Sequence, residues 1–163
     1  MTSTMRFDKW QNSLGTEALI ASTSGYINQP NKPIISGQVG SFSAITAGQL
    51  VPFDDFWVQR GITYNSSTRR FTVPVAGIYR ITMNPFTGAT AGYRLFVGVN
   101  TDTPNATTHR GHCYTDTAIY TTLSINSVVQ LNANDYIVFR QNSGTTYNAT
   151  GDRFNQFTIE MIA

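Results

Sequence analysis

The sequence is poor in cysteine, in lysine and in charge of either sign. Its single cysteine, Cys113, cannot form a disulfide within the chain. Only 12% of the residues are charged, about half of the ~25% that is usual for soluble domains. The net charge is +2 and the arginines are scattered, which excludes the clustered basic surface that nucleic-acid binding needs. Stability must therefore come from packing or from association of several copies.

Long apolar runs are also missing from the 163 residues. No stretch approaches the ~20 apolar residues that a membrane-spanning helix requires. The first residues are polar and lack the apolar segment of a signal peptide. We therefore expect no membrane partner and no export by a visible signal. The length suits one domain with a substantial core, and it is too short for two large ones.

Short strand-like runs separated by turn residues fill the chain from Pro33 onward. Their spacing of roughly 8–12 residues predicts an all-β sandwich or barrel. Long polar loops are expected at residues 100–111 and 142–152. The predicted strands are 34–39, 49–52, 56–59, 62–64, 71–73, 79–84, 93–99, 118–123, 128–131, 136–140 and 154–162.

The stretch from Phe71 to Asn84 reads as strand, corner, strand. Gly77 marks the corner, where we expect a backbone conformation closed to other residues. After it, Tyr79, Ile81 and Met83 alternate with polar residues, so one face of this strand should be buried. Residues 136–139, and partly 157–162, are apolar on both faces. Since the outer side of a monomeric sheet should be polar, this pattern predicts cover by a second copy of the chain.

Residues 1–32 differ from the rest of the chain. They hold too few residues to bury their apolar side chains in a core of their own, which is typical of a contact surface. We expect this arm to dock on another subunit or partner; the alternative is that it folds back on the main domain. Its first part suits either one or two helical turns or an extended arm, and a strand-turn-strand signal follows at residues 19–27. The expected docking residues are Phe7, Trp10, Leu14, Leu19 and Tyr26.

Few residues suggest catalysis or metal binding. His109, His112 and Cys113 are metal-ligand types at close spacing, but no second cluster completes a tetrahedral set; the alternative is a polar loop with one buried thiol. The adjacent Asp54 and Asp55 would point to opposite faces of a strand and so make a poor acid–base pair. Nucleophile-elbow and phosphate-loop motifs are absent from the sequence. We therefore assign no catalytic residue, metal or cofactor.

Four tyrosines lie near predicted loops, where they suit either packing or stacking against sugars. They are Tyr93, Tyr114, Tyr120 and Tyr147.

Residues 33–163 resemble the complement C1q/tumour necrosis factor family of jelly rolls. The family's F-T-x-P-x-x-G-x-Y segment is matched at residues 71–79, and Gln156 stands where the family usually has a glycine. The resemblance implies a ten-stranded jelly roll, a homotrimer with aromatic and aliphatic residues on its axis, and no catalysis. The residues that match are Phe56, Gly61, Tyr64, Phe71, Thr72, Pro74, Gly77, Tyr79, Leu131, Asp135, Phe154 and Phe157. The residues expected at the trimer interface are Tyr79, Ile81, Met83, Tyr136, Val138, Phe157, Ile159 and Met161.

The arm, from Met5 to Thr16 and on to Pro33, resembles the leader of virion surface proteins of tailed bacteriophages. That resemblance implies an attachment segment that displays a trimeric head outward. Because the sequence is short, has a separate apolar arm and contains no shaft repeat, we expect a trimeric capsid decoration or cement protein on the virion surface, whose arm docks on the major capsid protein or another virion component. The alternative is the receptor-binding head of a tail fibre, with loops 100–111 and 142–152 contacting a host surface glycan.

Overall fold

The computed structural model describes residues 9–11, 17–21, 27–29, 31–40, 44–88, 91–147 and 154–163. These residues form strands and turns, and none of them is helical. Within this part of the chain, therefore, no helix is long and apolar enough to cross a membrane. The chain divides into two compact units, residues 1–32 and residues 33–163.

The first unit contains a small antiparallel sheet of three strands, β1 (Lys9–Gln11), β2 (Glu17–Ala21) and β3 (Ile27–Asn28). Trp10 pairs with Leu19 in the register of β1 and β2. Because Lys9–Gln11 is a strand, the helical alternative is wrong for these residues. Phe7, Leu14 and Tyr26 lie outside the described residues, and the docking role of the unit stays a prediction.

The second unit is a sandwich of two five-stranded antiparallel sheets, which confirms the predicted all-β class. Sheet I has the order β12-β9-β15-β4-β6, sheet II has the order β11-β10-β13-β8-β7, and β14 pairs with β5. The strands are β4 (Ile34–Gln38), β5 (Ala44–Thr46), β6 (Asp55–Arg60), β7 (Thr63–Asn65), β8 (Arg70–Thr72), β9 (Gly77–Asn84), β10 (Tyr93–Val99), β11 (Gly111–Thr115), β12 (Ile125–Leu131), β13 (Tyr136–Ser143), β14 (Thr145–Tyr147) and β15 (Gln156–Met161).

Aromatic side chains fill the core between the two sheets. The Phe157 ring of sheet I lies 4.3 Å from that of Phe53 and 4.9 Å from that of Phe71, measured between ring centroids. Phe139 of sheet II lies 5.5 Å from Phe53. Tilted and edge-on pairs at these distances add to the hydrophobic gain, because the positive edge of one ring meets the negative face of another.

Gly77 is required for a different reason from the one predicted. It begins β9 and is not among the residues with positive φ. A Cβ atom at this position would lie 2.6 Å from the Cε of Met161 and 2.7 Å from the carbonyl oxygen of Ala163. Gly77 therefore gives the end of the chain room to lie against β9. A positive φ of 75° occurs instead at Gly61, in the predicted turn after β6.

Four predicted loop or strand assignments are wrong. Residues 49–52 form no regular strand, and only Leu50 makes an isolated bridge there, with Arg140. Residues 118–123 form no regular strand, and only Thr122 makes an isolated bridge, with Phe86. Conversely, β11 and β14 lie within or beside residues predicted as loops. Both are short and largely polar, so their pairing with β10 and β5 determines their conformation rather than their own composition.

The outer face of β13 is covered by the chain itself. Val138 is fully buried although it points away from the core. A Cβ atom at the neighbouring Gly98 would lie 2.6 Å from the Thr101 carbonyl oxygen, 2.9 Å from Val138 and 3.1 Å from Pro104. The loop after β10 therefore packs on this face. A second copy is not needed to explain why β13 is apolar on both sides.

Candidate interaction faces

The eight residues predicted for the trimer interface lie on β9, β13 and β15. Five belong to the core between the sheets: Tyr79, Ile81, Met83, Phe157 and Ile159. Val138 is buried under the loop, and Tyr136 and Met161 are half-buried. A single chain does not test an interface, so the assignment stays a prediction. The five core side chains, however, already contact their own chain and have almost no surface left for a neighbour.

The outer face of sheet I exposes large apolar side chains instead. In register, Val128 of β12 lies beside Arg80 of β9, and Arg80 lies beside Glu160 of β15. Val128 is 59% exposed, in a strand whose end residues Ile125 and Leu131 are buried in the core. The exposed apolar residues of this sheet and its ends are Trp57, Val58, Ile78, Val128 and Ile162.

The centre of the same face is polar but satisfied internally. The hydroxyl groups of Ser36 and Thr158 lie 2.9 Å apart, and Ser36 also donates to the carbonyl oxygen of Phe157 at 3.0 Å. Arg80 forms an ion pair with Glu160. Because these groups already have partners, a second surface can cover them without leaving many polar atoms unpaired.

The outer face of sheet II contains a pocket of about 300 Å³, which we call the histidine pocket. The His109 ring is stacked on Phe96 at 4.9 Å with an interplanar angle of 2°. The rings of His109 and His112 lie 4.6 Å apart. The pocket is lined by Arg94, Phe96, Ala106, His109, His112 and Tyr114.

Cys113 does not join the two histidines. It alternates with His112 along β11, so its side chain lies in the core while that of His112 is exposed. Burial raises the pKa of the Cys113 thiol to about 12. Among the described residues, no group of three histidine, cysteine or acidic side chains is placed to bind a metal ion.

Because Cys113 is buried and protonated, we expect its thiol to stay unreactive toward Ellman's reagent at pH 8 in the folded protein. The thiolate is the reacting species, and burial disfavours it. In guanidinium chloride the unfolded protein should react with one equivalent of the reagent per chain, because the sequence has one cysteine. Rapid reaction of the native protein would show that β11 opens readily.

The other predicted polar candidates serve the fold. Asp54 accepts a hydrogen bond from the Gly40 backbone N–H, and Asp55 accepts one from the Gln38 side chain at 2.8 Å. Tyr93 is fully buried with its hydroxyl 3.0 Å from that of Thr146, and burial raises its pKa.

Of the four tyrosines considered for sugar stacking, only Tyr114 lines the histidine pocket. It is 48% exposed. Tyr120 is also exposed, but it packs in a separate aromatic cluster with Phe86 and Tyr147. The sequence missed Arg94 and Phe96 as site residues. The sequence did contain a sign of this site, because alternation along β10 places the apolar Phe96 on the outer face of the sheet, where a polar residue is usual.

Comparisons with known proteins agree with this architecture. The family model described as the C1q domain matches residues 38–158, which is more than half of the chain. Among solved structures, the globular domain of zebrafish complement 1qA protein is similar with a TM-score of 0.60 and 18% sequence identity. The alignment covers 81% of this chain and 98% of that one. No match was found among curated protein sequences. At this identity the structural likeness establishes the fold alone.

Proposed function

This chain belongs to the C1q domain family, and on that premise we propose that it is a non-enzymatic structural protein of a virion surface. In this proposal it forms a homotrimer that decorates a phage capsid and docks on the shell through residues 1–32. Domains of this family are typically non-enzymatic and often trimeric.

The main support for a trimer is the set of exposed apolar side chains on the outer face of sheet I. Exposed apolar side chains such as Val128 and Ile78 surround a polar centre whose hydrogen bonds are already made. Exposed apolar side chains are costly in water, and this cost is recovered when copies associate and cover them. In a closed ring of three copies, each chain covers part of this face on its neighbour.

Two features support the attachment role of residues 1–32. They form a compact unit separate from residues 33–163. Their sequence resembles phage leaders, with the expected docking residues Phe7, Trp10, Leu14, Leu19 and Tyr26 in a short segment. In a capsid each such contact is repeated many times, so even a weak one raises the stability of the shell.

The particle itself provides the test. Quantitative mass spectrometry of purified virions should find hundreds of copies, and labelled antibody should bind over the whole head. Particles lacking the protein should lose infectivity on heating yet adsorb to cells normally. A handful of copies at the tail, with adsorption lost and heat stability retained, would instead favour the fibre head that binds a host glycan.

A further inference from the structure

The histidine pocket is built from two neighbouring strands and one loop. Phe96 of β10 pairs with His112 of β11, and Arg94 pairs with Tyr114. Since alternate residues of a strand share a face, these four side chains point to the same side of sheet II. The loop between β10 and β11 adds His109 as a wall.

Backbone hydrogen bonds hold that wall in place. The N–H of Arg110 donates to the Val97 carbonyl oxygen at 2.8 Å, and the N–H of His109 donates to the Asn105 carbonyl oxygen at 3.1 Å. The Asn105 side chain accepts the N–H of Thr107 at 2.9 Å. The loop is thus anchored at its end and stacked on Phe96, so the pocket exists before any ligand arrives.

The charges around the pocket are positive. Arg94 lies 4.9 Å over the Tyr114 ring, and the structure shows no ion pair between it and any described carboxylate. Arg140 of β13 lies beside Phe96 in register. No carboxylate lines the pocket among the described residues. A cation would be repelled here, whereas an anion finds free guanidinium donors.

The aromatic surface adds a second requirement on the ligand. Tyr114 presents a half-exposed ring at the rim, which suits the apolar C–H face of a sugar. The volume lies at the small end of the ~300–1,000 Å³ range of ligand pockets, so it admits one or two rings. We propose that this pocket binds a saccharide bearing a carboxylate, a hexuronic or sialic acid unit, with the sugar ring on the part of the Tyr114 ring that Arg94 leaves exposed and the carboxylate on Arg94.

Binding should strengthen as the pH falls. Burial and the neighbouring His112 lower the pKa of His109, so it takes up a proton only at more acidic pH than an ordinary histidine. The titratable or charged groups around the pair are Arg94 on β10 and Tyr114 on β11, which line the pocket, and Arg140 on β13, which lies beside Phe96 in register. None of these is acidic, so each proton gained adds attraction for an anion, while a sugar carboxylate stays ionised above about pH 4.

The test uses the full-length protein and a matched pair of probes, methyl glucuronide and methyl glucoside, which differ only at the carboxylate. Titrations followed by NMR of the ¹⁵N-labelled protein should show methyl glucuronide binding about tenfold more tightly, as a charge-assisted hydrogen bond allows. Shifts should centre on residues of β10 and β11. Methyl glucuronide affinity should rise as the pH falls from about 6.5 toward about 4.5, because the lowered pKa of His109 places its protonation below that of an ordinary histidine. The methyl glycoside of N-acetylneuraminic acid distinguishes a sialic acid from a hexuronic acid.

Variants of single residues locate the site. Arg94→Gln and Tyr114→Ala should each weaken methyl glucuronide binding about tenfold. Arg110→Gln removes the same charge from an arginine that does not line the pocket, and Tyr120→Ala removes an exposed tyrosine elsewhere; both should bind like the parent. Thermal midpoints of all four variants verify that they are folded.

Equal affinity for the two probes, no binding at saturating concentrations, or equal effects of Arg94→Gln and Arg110→Gln would overturn the proposal. None of these outcomes bears on the trimer or on virion copy number, since the pocket lies on sheet II and the apolar face on sheet I.

Discussion

Replacing Val128 with aspartate is expected to convert the proposed trimer into folded monomers of 18.0 kDa. Val128 is the most exposed apolar residue of sheet I, at 59%, and it stands beside the Arg80–Glu160 ion pair on the face proposed for association. An aspartate there would compete with Glu160 for the neighbouring Arg80, so association would bury two carboxylates against one guanidinium at a cost of several kcal/mol per copy, and the ring contains three copies. At about 1.4 kcal/mol per factor of ten, association should weaken at least a thousandfold.

Sedimentation equilibrium at micromolar concentration measures this directly. The parent protein should have three times the monomer mass, and Val128→Asp should have the monomer mass with an unchanged far-UV circular dichroism spectrum. Ile119→Asp is the control, because Ile119 is similarly exposed but lies in the connection between β11 and β12. A monomeric parent would refute the trimer. A trimeric Val128→Asp would place the interface on another face.

Replacing Phe157 with alanine is expected to lower the free energy of unfolding by about 3–5 kcal/mol. The Phe157 side chain is 2% exposed. It belongs to sheet I and packs on Phe53 and on two rings of sheet II, Phe71 and Phe139. Removing its ring leaves a cavity that the two sheets cannot close, because both are fixed by their hydrogen bonds. Urea denaturation followed by fluorescence gives the change.

Phe154→Ala is the matched control, since Phe154 is half-buried and stacks on Phe86 outside the main core. It should lose clearly less stability. Phe157→Leu keeps part of the volume and remains informative if the alanine variant does not fold. The sequence placed Phe157 at the trimer interface. If Phe157→Ala instead dissociated the trimer with little change in the unfolding of the chain, that assignment would be right and the core assignment wrong.

Alternation of residue type was sufficient to predict which residues share a face of a strand, although it did not predict that this face lies in the core of the chain itself. Tyr79, Ile81 and Met83 were expected to share a face, and all three lie in the core. The break between the predicted strands 128–131 and 136–140 was also correct, since a turn lies there with Asn134 at a positive φ of 70°. These features depend on local chemistry, because side-chain direction in a strand and turn conformation are set within a few residues.

Alternation did not show what covers each outward face. The pattern predicted that a second copy of the chain covers Val138, whereas the loop after β10 packs on it. The alternation pattern also did not predict that Ile78 and Val128 are exposed on the outer face of sheet I. The alternation along a strand predicts on which face of the sheet a residue lies, but it does not predict which distant segment packs against that face.

The sequence by itself determined the all-β class, most strand positions and which residues share a face of a strand, because these follow from side-chain period and turn chemistry along the chain. Only the tertiary structure decided that His109 stacks on Phe96 beside Arg94, that Cys113 is separated from the histidines, and that sheet I exposes its apolar side chains. The physical reason is register. Which residues of β10 and β11 become neighbours depends on pairing across a loop of eleven residues, 100–110, and that pairing is selected by the packing of the whole sandwich.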